Sequence, residues 1–334
     1  MDASAPMTGP PPSRTPSPTL VTSATELLGA PDRVKSARAV PLATGFEPLD
    51  DVLGGGFRAQ DLVIVGGRPG VGKTVAALQW ARWMAMQGQT AIYVSYAHSP
   101  RVLLRRLLAL ELASVARPDE RIELPRLRAI AQEVALGATP TTSLTGDPLG
   151  EEAFHRLENY GVRLHLVRGS GYETDLRELG RVVADHRVGA TALFVDDIDR
   201  IPGTVQLNAA EAHPRSVPNG LKELAIECDL PVIALATVDQ AGLGRPEIEV
   251  QHLYGAADLS RNADVLMLVN SHRPHWTVVR VVKHRDGAAD LSVQFRHDLA
   301  NYRIVPSGEF VNHSIDDSNN NNTDWSNETA PRSS

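Results

Sequence analysis

The chain has 334 residues, of which 42% are hydrophobic, and its one cysteine is Cys228. This length fits one large or two modest domains with a buried core, and one cysteine excludes an internal disulfide or a cysteine-cluster metal site. The formal charge of −7 argues against a generally basic protein that coats nucleic acid. No apolar run approaches the roughly 18 residues that cross a bilayer, and the start lacks the pattern of a signal peptide. We therefore expect a cytoplasmic protein without membrane contact.

The two ends of the chain have compositions typical of disorder. Residues 1–40 are rich in Pro, Ser, Thr and Ala, and residues 311–334 are rich in Asn, Ser and Asp. Neither segment buries enough apolar surface to offset the entropy that a chain loses on folding. We predict a disordered arm over 1–40 with one marginal helix at 23–29, a folded domain over 41–310, and a disordered acidic tail over 311–334.

Between the two ends, apolar segments typical of buried strands alternate with segments of helical periodicity. This alternation predicts an α/β domain whose mainly parallel sheet is covered by helices on both faces. The last strands are joined by short turns, so we expect an antiparallel extension at the C-terminal end. We predict a first strand that begins at Leu62 and leads into a glycine-rich turn, and further strands at 90–94, 164–167, 191–195, 231–236, 265–269, 276–282, 291–296 and 302–304. We predict helices at Glu47–Val52, 75–87, 101–113, 124–136, 172–186 and 219–228, and a polar loop at 138–150.

A glycine-rich turn after the first predicted strand fits the phosphate-binding loop G-x-x-x-x-G-K-[ST] at every fixed position. Its glycines let backbone N–H groups approach a polyphosphate closely. The lysine would reach the β- and γ-phosphates, and the threonine hydroxyl would bind Mg²⁺. A chance match in a glycine-rich turn is the alternative, but the predicted strand before it and helix after it favour the motif. The loop comprises Gly67, Arg68, Pro69, Gly70, Val71, Gly72, Lys73 and Thr74.

An acidic pair follows the apolar strand predicted at 191–195. A buried strand that presents an acid at its carboxyl end is the Walker B pattern, and here the acid is Asp196. We therefore predict that Asp196 and Thr74 hold Mg²⁺, with Asp196 binding directly or through water.

The opening of the folded domain resembles a known family. Residues 44–50, Thr-Gly-Phe-Glu-Pro-Leu-Asp, are followed by a glycine turn and the phosphate loop, as in the RecA-type motor domain of DnaB-type replicative helicases. RadA and KaiC ATPases share this opening. Residues 282–287, Val-Lys-His-Arg-Asp-Gly, resemble the K-x-R-N-G turn of DnaB-type proteins and favour that family. The order of segments follows this motor domain from residue 44 to about 305.

This resemblance implies a RecA-like P-loop NTPase with ATP and Mg²⁺ as ligands. It implies a hexameric ring or related homo-oligomer with ATP at subunit interfaces, and single-stranded DNA as a partner in replication. Lys73 would then be catalytic, and Lys283 and Arg285 would stabilise charge on the ATP of the adjacent subunit. A simple exposed turn is the alternative for those two cations. The family's N-terminal primase-binding domain has no expected counterpart in residues 1–40.

The sequence also departs from the family. The catalytic glutamate of the family falls on Ala97, and its γ-phosphate-sensing glutamine falls on Thr237. Loss of a water-positioning base costs about 10²- to 10⁴-fold in rate. Asp197 either replaces it at reduced efficiency or is a solvated acid near the metal. We expect the neighbouring His98 to face solvent.

Two functions remain open at this stage. The main interpretation is an ATP-driven helicase or translocase. The alternative is a catalytically weakened, ATP-dependent switch or scaffold on the helicase fold. The loops expected to meet DNA, 202–218 and 239–254, are not strongly basic.

Overall fold

The computed structural model describes residues 40–202, 216–245, 247–273 and 275–312. The predicted N-terminal arm with its helix, most of the predicted tail, and the larger part of the loop at 202–218 lie outside these residues. Within the described residues, no helix is both long enough and apolar enough to span a bilayer.

The described strands form one nine-stranded sheet with the order β3-β2-β4-β5-β1-β6-β7-β8-β9, using the labels given below. The pairs from β3 through to β6 are parallel, and the three pairs from β6 to β9 are antiparallel. The predicted fold class is therefore confirmed. The strands are β1 Leu62–Gly67, β2 Thr90–Ser95, β3 Leu164–Arg168, β4 Thr191–Asp196, β5 Val232–Ala236, β6 Val265–Arg273, β7 Trp276–His284, β8 Leu291–Asp298 and β9 Arg303–Asn312.

Helices cover both faces of the parallel part of the sheet. Leu62 and Ile64 of β1 contribute to one apolar core, and Val63 and Val65 contribute to another, because successive strand side chains point to opposite faces. The described helices are α1 Glu47–Val52, α2 Lys73–Met86, α3 Pro100–Val115, α4 Leu124–Leu136, α5 Thr142–Thr145, α6 Pro148–Gly161, α7 Leu176–His186, α8 Val217–Cys228, α9 Gln240–Leu243 and α10 Ala256–Asn262.

The largest difference from the predicted elements lies between α4 and β3. The predicted loop at 138–150 contains α5 and the start of α6, a helix that the apolar pattern did not indicate. Asp147 caps α6 by accepting hydrogen bonds from Leu149 N at 3.0 Å and Gly150 N at 3.4 Å. Asp175 caps α7 in the same way, so that helix begins at Leu176 rather than at 172. Helices α3 to α6 share a small separate core.

This topology separates the predicted site residues between two edges of the sheet. The carboxyl ends of β1, β4 and β5 lie at one edge, because these strands are parallel neighbours in the order β4-β5-β1. The antiparallel strand β7 returns to the opposite, amino edge, where His284 pairs with Val265. The phosphate loop and the Walker B acid therefore share one edge, and residues 283–285 lie at the other.

Candidate nucleotide-binding site

The phosphate loop connects β1 to α2 and needs glycine at several positions. Gly70 and Gly72 have φ angles of 78° and 104°, a left-handed region that side chains disfavour. At Gly67, a Cβ atom would lie 2.9 Å from the carbonyl oxygen of Val269, so the close approach of two strands excludes a side chain there. The loop therefore presents a backbone surface with little side-chain bulk, as a polyphosphate requires.

Lys73, the first residue of α2, turns back over this loop. Its Nζ donates hydrogen bonds to Gly67 O at 2.6 Å and Arg68 O at 3.0 Å. Burial lowers the pKa of the Lys73 ammonium, and the negative charges of Asp197 and Asp196 oppose that shift. Both acceptors are neutral carbonyl groups, so phosphate oxygens would be stronger partners for this cation.

The predicted Walker B acid, Asp196, lies beside the loop and is almost completely buried. Asp196, only 4% exposed, interacts with the hydroxyl of Thr74 and accepts a hydrogen bond from Tyr93 Oη at 3.1 Å. Burial raises the pKa of Asp196, and the hydrogen bonds from Thr74 and Tyr93 oppose that shift. A carboxylate and a hydroxyl in contact at the end of the phosphate loop are a donor set that fits Mg²⁺.

A metal ion here would depend on further ligands. Among the described residues, no group of three or more His, Cys, Asp or Glu side chains is arranged as a metal site. Mg²⁺ usually takes one or two protein oxygens and completes its shell with water and substrate phosphates. Thr74 and Asp196 would therefore hold Mg²⁺ only together with a bound phosphate chain.

Asp197 and Asp199 extend the acidic turn after β4. The carboxylate of Asp197 accepts a hydrogen bond from Asp199 N at 3.2 Å and so caps the short turn Ile198–Arg200. Asp199, which sequence reasoning missed, accepts one from Thr237 N at 3.0 Å. Partial desolvation and then the charge of Asp197 raise the pKa of Asp199 to about 7, against the hydrogen bond from Thr237 N, although the residue is exposed to solvent. The Asp-Asp-x-Asp run was the signal that could have identified it.

The end of β2 carries no acid at the position of the family's glutamate. Ala97 is exposed, and the next residue, His98, is half-buried rather than fully solvent-facing. Its Nε2 lies 3.1 Å from a guanidinium nitrogen of Arg106. Burial, followed by the charge of Arg106, lowers the pKa of His98 and favours the neutral imidazole. Arg106 also lies over the ring of Tyr302, 5.3 Å from its centroid.

Lys283 and Arg285 lie far from the phosphate loop of their own chain. Lys283 Nζ donates to Ser260 O at 2.7 Å and Ala263 O at 2.6 Å, which satisfies carbonyl groups at the end of α10. A guanidinium nitrogen of Arg285 lies 3.2 Å from Asp264 Oδ1. The six residues of β1, Leu62–Gly67, run from this edge to the loop. Five steps of about 3.3 Å therefore separate the two ends by about 17 Å.

Comparison with known proteins identifies sequences that this chain resembles. Residues 41–140 match the family described as the DnaB-like helicase C terminal domain. The "Replicative DNA helicase DnaB" of Treponema pallidum (strain Nichols) is 25% identical over 257 residues, covering 74% of this chain and 52% of that protein. The chain is therefore similar in sequence to the DnaB-like helicases. It spans about half the length of the curated relatives it matches.

Solved structures with similar folds support the architecture described above. One solved ATPase domain superposes with a TM-score of 0.62 at 18% identity and covers 84% of this chain and 95% of that one. A structure entitled "The Structure Of A DnaB-Like Replicative Helicase And Its Interactions With Primase" gives 0.63 at 17% identity, covering 86% and 67%. At these identities the superpositions establish the RecA-like fold alone.

Proposed function

We propose that the chain binds MgATP in the loop from Gly67 to Thr74 and is an ATPase of the helicase or translocase type. One observation carries this proposal. The hydroxyl of Thr74 meets the buried carboxylate of Asp196 directly beside a glycine loop that is covered by Lys73. Packing of the apolar core does not account for this grouping of a cation, a hydroxyl and an acid at the end of three parallel strands.

The roles of these groups follow from phosphoryl-transfer chemistry. Backbone N–H groups of the loop and the Lys73 ammonium would hold the phosphates, and Thr74 with Asp196 would hold Mg²⁺. Mg²⁺, when bound, neutralises charge on the β- and γ-phosphates. Positioned charges of this kind stabilise the transition state without rearrangement, because they are held by the fold before the nucleotide arrives.

The proposal includes assembly of several copies. Lys283 and Arg285 cannot reach the phosphate loop of their own chain, so a catalytic role for them requires an adjacent subunit. In a ring of the kind that the similarity to DnaB suggests, each subunit interface would join one phosphate loop to one such pair of cations. The ring would act in the cytoplasm. Arg285 supports this role better than Lys283, since its side chain is 51% exposed whereas the Lys283 ammonium already has two carbonyl acceptors.

The deciding experiment is ATP turnover with and without single-stranded DNA. A translocase is expected to hydrolyse ATP faster when DNA is present, and Lys73→Ala is the matched control because it removes the phosphate contact in both conditions. Absence of MgATP binding to the wild-type chain would refute the nucleotide site. Binding with DNA-independent, very slow turnover would instead support the second function below.

The exposed Ala97 favours a second candidate function, an ATP-dependent switch or scaffold with weakened hydrolysis. With no acid at this position, the attacking water lacks the family's base, and Asp197 is engaged in capping its own turn. For a switch, we expect Ala97→Glu to raise turnover by about 10²- to 10⁴-fold and Asp197→Ala to change little. Brisk wild-type turnover that Asp197→Ala abolishes would assign the base to Asp197 and support the motor.

A further inference from the structure

A polar cavity of about 360 Å³ lies away from the phosphate loop, between the start of α4 and the turn that joins β8 to β9. Three arginines line it. Arg121 comes from the short turn Glu120–Glu123, Arg296 from β8, and Arg303 is the first residue of β9. We call this cavity the arginine pocket.

The three guanidinium groups have almost no partners within the described part of the chain. Arg121 and Arg296 are exposed and make no ion pair with a described carboxylate, and Arg303 has only a 3.5 Å contact with Ala113 O. Several other described arginines, although not all of them, are matched with acids. Examples are Arg126 with Glu123 and Asp147, Arg181 with Glu178, and Arg280 with Asp290.

Little negative charge faces the three arginines. Asp298 lines the pocket and offsets part of the positive charge around Arg303, and its carboxylate also accepts a hydrogen bond from Asn301 Nδ2 at 2.5 Å. The His297 ring lies 2.7 Å from Thr277 Oγ1, and burial lowers its pKa, which favours the neutral form. The arginines therefore outnumber the one carboxylate of the pocket by two.

Convergent cations repel one another unless an anion lies between them. Burial first, and then the charge of Arg121, lowers the pKa of Arg303, and the charge of Asp298 opposes that shift. Guanidinium groups bind phosphate oxygens through paired N–H donors, and three of them around one cavity would share a multiply charged group. The cavity volume also falls within the range of about 300–1,000 Å³ usual for small-molecule sites.

We propose that the arginine pocket binds a phosphate-bearing ligand through Arg121, Arg296 and Arg303. The ligand is either a free phosphorylated small molecule or the backbone of a nucleic-acid strand, and both present the same anionic oxygens. This site is separate from the MgATP site, and neither proposal depends on the other.

The pocket is nevertheless connected to the helix that follows the phosphate loop. Ile304, directly after Arg303, donates from its N to Gln79 Oε1 at 2.5 Å and accepts at its O from Gln79 Nε2 at 3.0 Å. Gln79 lies on α2, which begins at Lys73. A ligand held by Arg303 would therefore fix the strand end that contacts this helix.

The test uses the full chain with Lys73→Ala, so that binding at the phosphate loop is suppressed. Inorganic pyrophosphate is titrated by calorimetry into this protein, into the same protein with Arg121→Gln and Arg296→Gln, and into one with Arg163→Gln. Arg163 is a matched control, because it is exposed, has no described ion pair and lies outside the pocket. We expect at least about a tenfold loss of affinity in the double variant and none in the control. Arg303→Gln should act in the same direction.

A short single-stranded oligonucleotide is titrated into the same proteins in parallel. If the double variant loses affinity for pyrophosphate, the ligand is a free phosphorylated molecule. If it loses affinity only for the oligonucleotide, the ligand is the backbone of a nucleic-acid strand. The proposal is overturned if neither probe binds the Lys73→Ala protein, or if both bind the double variant as tightly as the Arg163→Gln control.

Discussion

At the carboxyl edge of the sheet, Lys73 donates only to neutral carbonyl groups of its own loop, whereas at the amino edge Lys222 and Arg285 both contact the carboxylate of Asp264. Asp264 is 2% exposed and also accepts from Leu62 N at 2.8 Å. The amino edge thus neutralises its charges within the chain and stabilises the fold. The carboxyl edge keeps a cation and acids available for a ligand.

The same comparison shows what an interface role for Arg285 would require. Its guanidinium would have to leave, or share, the carboxylate of Asp264 in order to reach a phosphate of a neighbouring subunit. Since about half of the side chain is exposed, that exchange costs little after solvent screening. Four substitutions test whether the two edges divide ligand binding and stability in this way, from the largest expected effect to the smallest.

Lys73→Ala should abolish MgATP turnover and weaken nucleotide binding by about tenfold or more, because it removes charge-assisted hydrogen bonds to phosphate. The melting temperature should stay close to that of the wild type, since Nζ contacts only loop carbonyls. Nucleotide titration and thermal unfolding measure the two effects. Unchanged affinity together with unchanged turnover would remove the phosphate-loop assignment.

Arg285→Ala should lower turnover by about 10³-fold if the residue acts on the ATP of a neighbouring subunit. Its effect on the free energy of unfolding should stay below about 1 kcal/mol, because Arg285 is half exposed and Lys222 still neutralises the buried carboxylate of Asp264. Mixing Arg285→Ala with Lys73→Ala subunits should restore part of the activity, since some interfaces would combine an intact loop with an intact arginine. No rescue at any ratio, with both variants still assembling, would place the whole site within one chain.

Asp264→Asn should destabilise the fold by about 3 kcal/mol, because it leaves the Lys222 ammonium buried beside a neutral group. Nucleotide affinity per folded molecule should not change, as the phosphate loop lies at the other edge. Chemical denaturation and nucleotide titration separate these outcomes. Asp258→Asn is a suitable control, since it removes a carboxylate from the surface of α10 instead. Equal stability of the two variants would mean that the amino-edge network contributes nothing.

Asp199→Asn should have the smallest effect, visible only as a change in the pH dependence of stability. The folded pKa of Asp199 is raised to about 7 from an ordinary value of 3.8. Between these values the unfolded chain has lost the proton and the folded chain retains it, so wild-type stability should fall as pH rises from about 4 to 7. The stability of the variant should fall less than that of the wild type over this pH range. At pH 4 the variant should be no more stable than the wild type. Parallel profiles of stability against pH for the two proteins would contradict this prediction.

The accuracy of the sequence-based predictions differed between elements for identifiable reasons. The parallel core was predicted well, because continuous apolar runs such as that of β4 occur only where both faces of a strand are covered. Helix α6 was missed, because it buries few residues and depends on the cap at Asp147 and on packing against α3 and α5. The structure places the predicted phosphate loop after β1, Asp196 at the end of β4 and Ala97 just after β2, as the sequence patterns indicated. The roles of Lys283 and Arg285 stay a prediction.

The sequence by itself determined the phosphate loop, because its chemistry depends on glycine, lysine and threonine within eight consecutive residues, Gly67 to Thr74. Only the tertiary structure decided which charged groups are paired within the chain and which remain available to a ligand. Asp264 meets Leu62 across 202 positions and Lys222 across 42, and Arg121 meets Arg296 and Arg303 only through the packing of α4 against the β8–β9 turn. Electrostatic interactions depend on distance in space and on burial, and neither quantity is encoded in the local order of residues.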